Sequence, residues 1–466
     1  MKIQHIIPIF FYFAFLLLVS SFNLLSYDTY YYWEWSRHLD FGYYDGSPLI
    51  AYFIKASTLL FGDTLFALSL VGAVSTAITS LIIYKTANLF LSKEASGVAL
   101  LLWLFSPLVT LDLINQTTYD TPLTIFWALT LYFAAKYIIS KRTKYLYLLG
   151  VSIGLMMLSK YSGAVLVLAL FVFLLITKYR YLFKSVHLYL AMLVAFALFS
   201  PVIIWNQQHD WQSFLYQLTT HQLKKNINPF VSLIKSFAFV FLPSLNFMLL
   251  PSLLCWIKKI GKVDDQRADI VRLCLVVSTT FICFYLLVAT QDAIRDKWLG
   301  TYLISSALLG GYCYQTMRYR ILTNLVIGVY MIVSLGIVAN NAFDIFKTTD
   351  KLIYYRLMQQ FNTEHPNLPK TILTSSWLEA RMLFFLKDKP YIYTIDCGLE
   401  QNEYALWSND IAQEVNNKTL KEALFISPYD QSICVKKYFN HCEQLAPLTY
   451  SYKTKKLGVY AYICTN

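Results

Sequence analysis

Two carboxylates near the amino end are the first residues whose type and spacing could do chemistry. Asp28 begins the string Asp28-Thr-Tyr-Tyr-Tyr-Trp33, and Asp45 lies within Gly42-Tyr-Tyr-Asp-Gly-Ser-Pro48. These strings come soon after an apolar segment of membrane length, residues 6–25. Because charge is expensive near hydrocarbon, carboxylates at a membrane boundary suggest a functional role. The simpler alternative is that both are solvated loop residues.

Three further segments carry polar groups at the ends of apolar runs. Asp120 falls in the first turn of a predicted helix, where a carboxylate is also an ordinary stabilising residue. Lys160 interrupts a long apolar stretch, and it either snorkels to the interface or pairs with a phosphate at membrane depth. The string Trp205-Asn-Gln-Gln-His209 is typical of an interfacial segment that grips lipid.

The composition indicates a membrane protein with many spans. Of the 466 residues, 57% are hydrophobic and only 14% are charged, and the mean hydropathy is +0.48. Soluble domains are about 25% charged. The formal net charge is +12, but Lys and Arg lie in short clusters between apolar segments, which membrane topology explains better than nucleic-acid binding does. We therefore expect membrane lipids, and no nucleic acid, as partners.

Apolar segments of bilayer length predict a polytopic α-helical protein with about eleven transmembrane helices. They are expected at residues 6–25, 65–90, 95–113, 120–140, 144–159, 162–178, 185–206, 232–257, 270–290, 298–316 and 320–341. The turn between 144–159 and 162–178 is short, so this pair is either two helices or one broken helix. One broken helix would invert the orientation of all that follows.

The positive charges predict the orientation of these spans. With the first residue in the cytoplasm, alternate loops carry the basic clusters, such as Lys141-Arg-Thr-Lys144, and the opposite loops carry fewer. The loops with fewer basic residues, 26–64, 112–120, 207–231 and 291–297, are then periplasmic. This orientation places the following residues on one external face of an inner-membrane protein: Asp28, Asp45, Asp120, Lys160, His209 and Trp298.

After residue 341 the sequence becomes polar, with short alternating runs that are typical of strands. Residues 1–341 are therefore expected to form the transmembrane domain, and residues 342–466 a small periplasmic α/β domain. Four cysteines fall in this domain, Cys397, Cys434, Cys442 and Cys464. Because the periplasm is oxidising, we expect at least one disulfide, with Cys434 and Cys442 closing the shortest loop.

The same strings resemble those of the bacterial glycosyltransferase family 39, relatives of the protein O-mannosyltransferases with the GT-C fold. In that family the first loop typically reads Asp-Glu-Ala-Tyr-Tyr-Trp and then Gly-Tyr-Phe-Asp-His-Pro-Pro; here the strings from Asp28 and from Gly42 stand in those places. The lipid A aminoarabinose transferases are related enzymes. The resemblance extends over nearly the whole chain, through similar strings at residues 118–123, 158–161, 201–206 and 402–407.

Three residues depart from the family pattern. Thr29 replaces the acidic neighbour of the first Asp, and Gly46 and Ser47 replace the His-Pro of the second string. If those groups help to hold a metal or the acceptor in relatives, this chain does so differently.

The resemblance implies a glycosyltransferase that takes a sugar from a polyprenyl-phosphate donor and places it on an envelope acceptor outside the cytoplasm. Such a reaction needs a base for the acceptor hydroxyl and positive charge beside the departing phosphate. We expect Asp28 to be the base, Asp120 a second catalytic carboxylate and Lys160 the ligand of the donor phosphate. A single displacement would invert the anomeric configuration.

The remaining assignments concern substrate and metal. The side chains expected to contact substrate are Tyr44, Trp205, Asn206, His209 and Trp298. Asp45 is the candidate ligand for a divalent cation, Mg²⁺ or Mn²⁺, because hard cations prefer oxygen ligands.

Other functions are open at this stage. The acceptor could be lipid A or its core, another glycolipid, a glycan, or the Ser and Thr side chains that protein O-mannosyltransferases modify. A flippase or transporter of lipid-linked sugars would also be polytopic, with polar groups in the membrane. However, the charged groups cluster at one face, and no inverted repeat is apparent. A structural membrane protein explains neither carboxylate loop.

Overall fold

The structure is a computed structural model that describes residues 25–110, 116–219, 231, 234, 266–289, 298, 300–316, 320–343, 351–367, 369, 371–374, 384–397, 403–427, 429–445, 448–452 and 455–466. The chain forms two compact units. The first, called the membrane unit below, comprises residues 1–23, 39–42 and 46–343. The second, the C-terminal unit, comprises residues 24–38, 43–45 and 344–466.

Helices dominate the described part of the chain, and α2 to α12 belong to the membrane unit. In chain order the α-helices are α1 (Tyr27–Arg37), α2 (Leu49–Phe61), α3 (Leu65–Ala87), α4 (Lys93–Leu104), α5 (Asp120–Ser140), α6 (Lys144–Ser159), α7 (Ala164–Ile176), α8 (Val186–Gln208), α9 (Gln212–Thr219), α10 (Gln266–Ala289), α11 (Tyr302–Thr316), α12 (Arg320–Phe343), α13 (Lys351–Glu364), α14 (Glu403–Trp407), α15 (Asn409–Asn416) and α16 (Ser432–Tyr438). The 3₁₀-helices Tyr161–Gly163 and Lys178–Lys184 flank α7.

Several described helices are long and apolar enough to cross a membrane. Five qualify by length and composition: Leu65–Ala87, Asp120–Ser140, Val186–Gln208, Gln266–Ala289 and Thr323–Asn340. The segments Tyr161–Ile176 and Lys178–Lys184, bent by 105°, add a sixth if they count as one span. The predicted spans 6–25 and 232–257 lie outside the described residues, apart from residues 25 and 234, so the number eleven stays a prediction.

One predicted span is shorter than expected. Residues 95–113 were expected to form one helix, but α4 is 12 residues long and ends at Leu104. Two residues later, Ser106 lies directly before Pro107. Proline disfavours helical backbone in the residue before it. The apolar run is therefore interrupted although its hydropathy continues.

Helices α6 and α7 run in opposite directions, which decides between two helices and one broken helix. Lys160, directly after α6, contacts Asp120 at the start of α5. Tyr179, just beyond α7, lies at the other end of α5. There the Lys141 Nζ is 3.9 Å from the centre of the Tyr179 ring. The pair is therefore two helices. The break is at Lys160, whose backbone is extended (φ −163°, ψ 138°).

The end of the membrane unit opposite Lys160 carries many basic residues. There the buried Asp269 accepts a hydrogen bond from the Tyr179 hydroxyl (3.0 Å) and pairs with Lys178 (3.2 Å) and Arg272 (2.9 Å). Helices α10 and α11 are antiparallel, so the start of α12 lies at this end as well. Basic residues at or near this end are Lys93, Lys141, Arg142, Lys144, Lys178, Arg180, Lys184, Arg267 and Arg320.

Small residues let α6 approach α8 closely. A Cβ atom on Gly150 would collide with the backbone oxygen of Ala191, and one on Gly154 would lie 2.7 Å from the Leu198 Cβ. Small residues at helix contacts are common in membranes, where close van der Waals packing replaces the hydrophobic driving force. This contact fixes α6, and with it Lys160, against α8.

In its described residues, the C-terminal unit contains a mixed six-stranded sheet, in agreement with the predicted α/β character. Its strands are β1 (Ile372–Thr374), β2 (Ile392–Thr394), β3 (Glu422–Ser427), β4 (His441–Gln444), β5 (Leu448–Tyr452) and β6 (Lys455–Thr465). The order is β2-β1-β3-β6-β4, and β5 also pairs with β6. Strand β1 is parallel to β2 and β3, whereas β6 is antiparallel to its three neighbours.

The start of the first external loop folds with this sheet rather than with the membrane helices. The Arg37 guanidinium, at the end of α1, donates to the backbone oxygens of Lys389 (2.7 Å) and Pro390 (3.1 Å). The Trp33 ring packs edge-on against Phe384, with ring centres 4.8 Å apart. The predicted loop 26–64 is thus divided, because aromatic contacts hold α1 in the C-terminal unit.

Among the described residues, the disulfides are Cys397–Cys434 and Cys442–Cys464. The predicted pairing of Cys434 with Cys442 is therefore wrong, although the expectation of an oxidised pair agrees with the structure. The reason is strand register: Cys442 on β4 lies directly opposite Cys464 on β6. Proximity in sequence does not decide the pairing here.

The α6–α8 contact can be tested with a single methyl group. We expect Gly150→Ala to destabilise the detergent-solubilised protein by about 1–3 kcal/mol, because the added Cβ meets backbone that cannot rotate away. Gly97→Ala on α4 is the matched control, since a Cβ there meets nothing within 4 Å. Thermal unfolding measures both. Equal midpoints for the two variants would contradict the packing described.

Candidate functional site

A buried ion pair joins Asp120 and Lys160 in the membrane unit. The Lys160 Nζ lies 2.8 Å from each carboxylate oxygen of Asp120. The two side chains are only 14% (Lys160) and 7% (Asp120) exposed. Removing a single charge from water costs several kcal/mol, so each group makes the burial of the other tolerable. Lys160 is therefore not a snorkelling lysine.

Helix ends bring the two groups together. Asp120 is the first residue of α5, and its backbone N–H donates to the Thr118 hydroxyl (3.3 Å). Lys160 directly follows α6, and its N–H donates to the Met156 carbonyl (3.1 Å) before the backbone turns into the 3₁₀-helix. The partial positive charge of a helix N-terminus also favours a carboxylate at Asp120.

Aromatic residues surround the pair. The Lys160 Nζ lies 4.3 Å from the centre of the Tyr119 ring, a cation–π contact. Tyr285 on α10 hydrogen-bonds Ser162 and lies within electrostatic range of Asp120. The Trp298 ring centre is 6.1 Å from that of Tyr285. The predicted substrate residue Trp298 therefore lies beside Tyr285.

A second polar cluster lies on α8, α9 and the segment after Lys160. The Asn206 Oδ1 accepts a hydrogen bond from the Ser213 hydroxyl (2.9 Å), which also bonds the Tyr161 hydroxyl (2.6 Å). The Ser47 hydroxyl donates to the Met157 carbonyl (2.9 Å). Tyr161 is adjacent to Lys160 in sequence, so the structure links Asn206 to the ion-pair segment.

Trp205 and His209 form a stacked pair in the same region. Their ring centres are 4.0 Å apart, and the His209 Nδ1 lies 2.8 Å from the Trp205 backbone oxygen. A side chain at Gly42 would collide with the Trp205 ring, since a Cβ would lie 2.5 Å from it. Among the described residues, the buried Trp205 Nε1 has no hydrogen-bond partner. A buried donor of this kind suits a ligand oxygen.

The other predicted residues lie in the C-terminal unit. Asp28 is half-buried in the first turn of α1, after the Ser26 hydroxyl that caps this helix. Tyr44 and Asp45 form a turn. Asp28 and Asp45 therefore belong to one unit and Asp120 and Lys160 to the other, whereas the sequence analysis assigned all four to the transmembrane domain.

Sequence reasoning missed Glu403. It lies in a string that resembles the family pattern, but no role was assigned to it. Its carboxylate accepts the backbone N–H of Tyr44, and its own N–H donates to the Tyr31 hydroxyl (3.1 Å). Three hundred and fifty-nine residues separate Tyr44 from Glu403, so no local pattern could have joined them.

The predicted metal ligand Asp45 and the carboxylate of Glu403 both act electrostatically on the Tyr31 hydroxyl. Within the part of the chain that the structure describes, no three His, Cys, Asp or Glu side chains come close enough to hold a metal ion. Two carboxylates could supply oxygen ligands to Mg²⁺, but we assign no step to a metal. A divalent cation stays a prediction.

The ion pair can be tested by a double-mutant cycle. We expect Asp120→Asn and Lys160→Met each to lower the thermal midpoint, because each leaves a buried charge without its main partner. The double variant should lose less than the sum, with a coupling free energy of about 1–3 kcal/mol. Glu94→Gln is the control, since the Glu94–Arg320 pair is exposed. Additive losses would mean that the pair is not coupled.

Comparisons with known proteins identify sequence relatives of this chain. The family model described as dolichyl-phosphate-mannose-protein mannosyltransferase matches residues 45–205, which contain Asp45, Asp120, Lys160 and Trp205. A lipid A galacturonosyltransferase, RgtD of Rhizobium johnstonii, is 34% identical over 187 residues. That alignment spans 38% of this chain and 38% of the relative.

Solved structures share the fold. ArnT from Cupriavidus metallidurans superposes in its apo state with a TM-score of 0.70 at 12% identity, covering 99% of this chain and 98% of that one. The same protein bound to undecaprenyl phosphate gives 0.69 at 14% identity, with the same coverage. An oligosaccharyltransferase from Archaeoglobus fulgidus gives 0.51 at 13% identity, covering 91% and 69%. The resemblance predicted from the sequence is thereby confirmed: residues 45–205 match a mannosyltransferase family model, part of the chain is similar to a lipid A galacturonosyltransferase, and the fold is shared with ArnT.

Proposed function

We propose that this chain is a membrane glycosyltransferase that moves a sugar from a polyprenyl-phosphate donor to lipid A or a related envelope glycolipid on the periplasmic face. The observation that carries the proposal is the buried Asp120–Lys160 pair at one end of the membrane unit. A lipid phosphate reaching this end from the bilayer would find a cation already held there, in a site of low dielectric where its charge acts strongly.

The known relatives support the choice of donor and acceptor. The solved ArnT structure with undecaprenyl phosphate has the same fold, and the Rhizobium johnstonii relative is a lipid A galacturonosyltransferase. The family model, by contrast, is described by a protein mannosyltransferase. Protein Ser and Thr side chains therefore remain the second candidate acceptor.

Each proposed role follows from the bonds that change. The acceptor hydroxyl oxygen forms a bond to the anomeric carbon, and the bond between that carbon and the phosphate oxygen breaks. The electron pair leaves with the polyprenyl phosphate, whose charge Lys160 would neutralise. The acceptor proton passes to a carboxylate, for which we propose Asp28. Asp120 would hold Lys160 in position and orient the acceptor.

The charge distribution supports the proposed orientation. The basic residues gather at the end of the membrane unit opposite Lys160, and cytoplasmic ends of membrane proteins carry such an excess. With that end in the cytoplasm, the ion pair faces the periplasm. The two disulfides of the C-terminal unit suit the same oxidising compartment.

The acceptor is tested by mass spectrometry of lipid A and of envelope glycans from cells with and without the gene. We expect loss of the gene to remove a lipid A or core species that differs by one sugar residue. Complementation with the wild-type chain should restore it, and complementation with Lys160→Met should not. Unchanged lipid A together with lost glycosylation of a protein would contradict the proposed acceptor.

Lys160 is tested by donor kinetics. We expect Lys160→Met to raise the donor KM about tenfold or more, because the phosphate loses a charge-assisted hydrogen bond. Lys160→Arg should restore binding only in part, since a planar fork fills space differently from a compact ammonium. Asn88→Met, an exposed position at the end of α3, controls for changes in detergent behaviour. An unchanged donor KM in Lys160→Met would remove Lys160 from the phosphate site.

Asp28 is tested by removing its basicity while keeping its shape. We expect Asp28→Asn to lower kcat about a hundredfold or more while the protein still folds, because general-base catalysis contributes a factor of this size. Single-turnover assays with a polyprenyl-phosphate sugar measure it. Near-normal turnover would show that another group takes the proton.

A further inference from the structure

Glu403 is a buried carboxylate for which the proposed reaction has no role. It is 3% exposed and is the first residue of α14. Charge buried to this degree must be compensated by hydrogen bonds or by other charges. The partners of Glu403 within the C-terminal unit include two residues of the first external loop, Tyr44 and Tyr31.

The bond to Tyr44 constrains a particular piece of backbone. Residues 44 and 45 form a turn, and the Glu403 Oε2 accepts the N–H of Tyr44 directly before Asp45. A hydrogen bond to an ionised acceptor is about twice as strong as a neutral one. The carboxylate of Glu403 therefore fixes the backbone from which the Asp45 side chain projects.

Tyr31 completes the arrangement. It is 3% exposed, and its hydroxyl accepts the Glu403 N–H. Burial and the charges of Asp45 and Glu403 raise the pKa of Tyr31 above its usual value, so the hydroxyl keeps its proton as a donor beside two carboxylates. The Tyr31 ring also packs against Tyr404, with ring centres 5.7 Å apart.

Aromatic stacking fixes the backbone on the other side of this turn. The Tyr43 ring stacks on Trp35 with centres 4.1 Å apart, and its hydroxyl donates to the backbone oxygens of Trp35 (3.0 Å) and His38 (2.9 Å). The residue before the turn is thus tied to α1. The turn itself is tied to Glu403.

We infer that Glu403 is a positioning residue, which holds the Tyr44–Asp45 turn in the geometry that sugar transfer requires. The inference rests on the proposed function for its catalytic part, but the hydrogen bond can be measured without any substrate. Glu403 would then act on the reaction only by positioning this turn.

Hydrogen exchange of the Tyr44 amide in the purified full-length protein tests the contact. We expect Glu403→Ala to speed this exchange about tenfold or more, equivalent to about 1.4 kcal/mol. Glu403→Gln should speed it less, because an amide oxygen still accepts the bond. The exposed Glu422 on β3 supplies the control, Glu422→Ala, which should leave Tyr44 exchange unchanged. Wild-type exchange at Tyr44 in Glu403→Ala would overturn the inference.

Transfer kinetics on the same variants test the consequence. We expect Glu403→Ala to lower kcat about tenfold, with the donor KM nearly unchanged and partial recovery in Glu403→Gln. A purely structural role would instead lower the thermal midpoint and leave the kcat of the folded fraction intact, and that result would overturn the inference.

A second variant keeps the test decisive if Glu403→Ala fails to fold. Tyr31→Phe removes the hydroxyl that accepts the Glu403 N–H but leaves the ring packing, and it should also speed Tyr44 exchange and lower kcat. If Tyr31→Phe changes neither, the inference is wrong. If the wild-type chain transfers no sugar while Tyr44 exchange responds as expected, the proposed function fails and the positioning of the turn by Glu403 stands.

Discussion

The buried Asp120–Lys160 ion pair constrains the helix ends on either side of it. Lys160 can reach Asp120 only because α6 stops at Ser159 and the next residue is extended. Asp120 can bind the Lys160 ammonium only because α5 begins at Asp120. Two charges that would each be costly in an apolar setting are tolerable as a pair. The site therefore lies where α5 begins and α6 ends.

The pair also limits how a donor can bind. Both Asp120 oxygens contact the Lys160 ammonium, so a phosphate that uses this cation must share it with Asp120 or displace Asp120. Displacement would leave the Asp120 carboxylate free beside Tyr285 and the aromatic rings around it. Electrostatic interactions are strong where the dielectric constant is low. Sharing Lys160 with a phosphate, or displacing Asp120 from it, would therefore change the electrostatic energy of the site strongly. Under the proposed function, binding of the donor phosphate would therefore disturb the Asp120–Lys160 pair.

Much of the membrane unit could be predicted from the sequence. The bounds of α5 and α6 follow from apolar runs separated by the polar turn at Lys141, whose left-handed backbone (φ 56°) ends α5. Asp120 and Lys160 were each recognisable as polar residues at the ends of such runs. Their pairing was not predicted, because it joins residues 40 apart through the antiparallel packing of two helices.

The C-terminal unit was less predictable, since its contacts are long-range. The register of β4 against β6 decides that Cys442 pairs with Cys464, and nothing near Cys442 in sequence encodes this register. The membership of α1 in this unit depends on Arg37, which bonds a backbone more than three hundred residues away. Aromatic contacts also hold α1 in this unit, since Tyr30 and Trp33 both pack against Phe384.

The most direct measurement is an experimental structure of the full chain with undecaprenyl phosphate bound. If Lys160 is the donor-phosphate ligand, its Nζ will lie within hydrogen-bonding distance of a phosphate oxygen, and at least one of its two bonds to Asp120 will be broken. A lipid phosphate held elsewhere, with the Asp120–Lys160 pair intact, would contradict the proposed site.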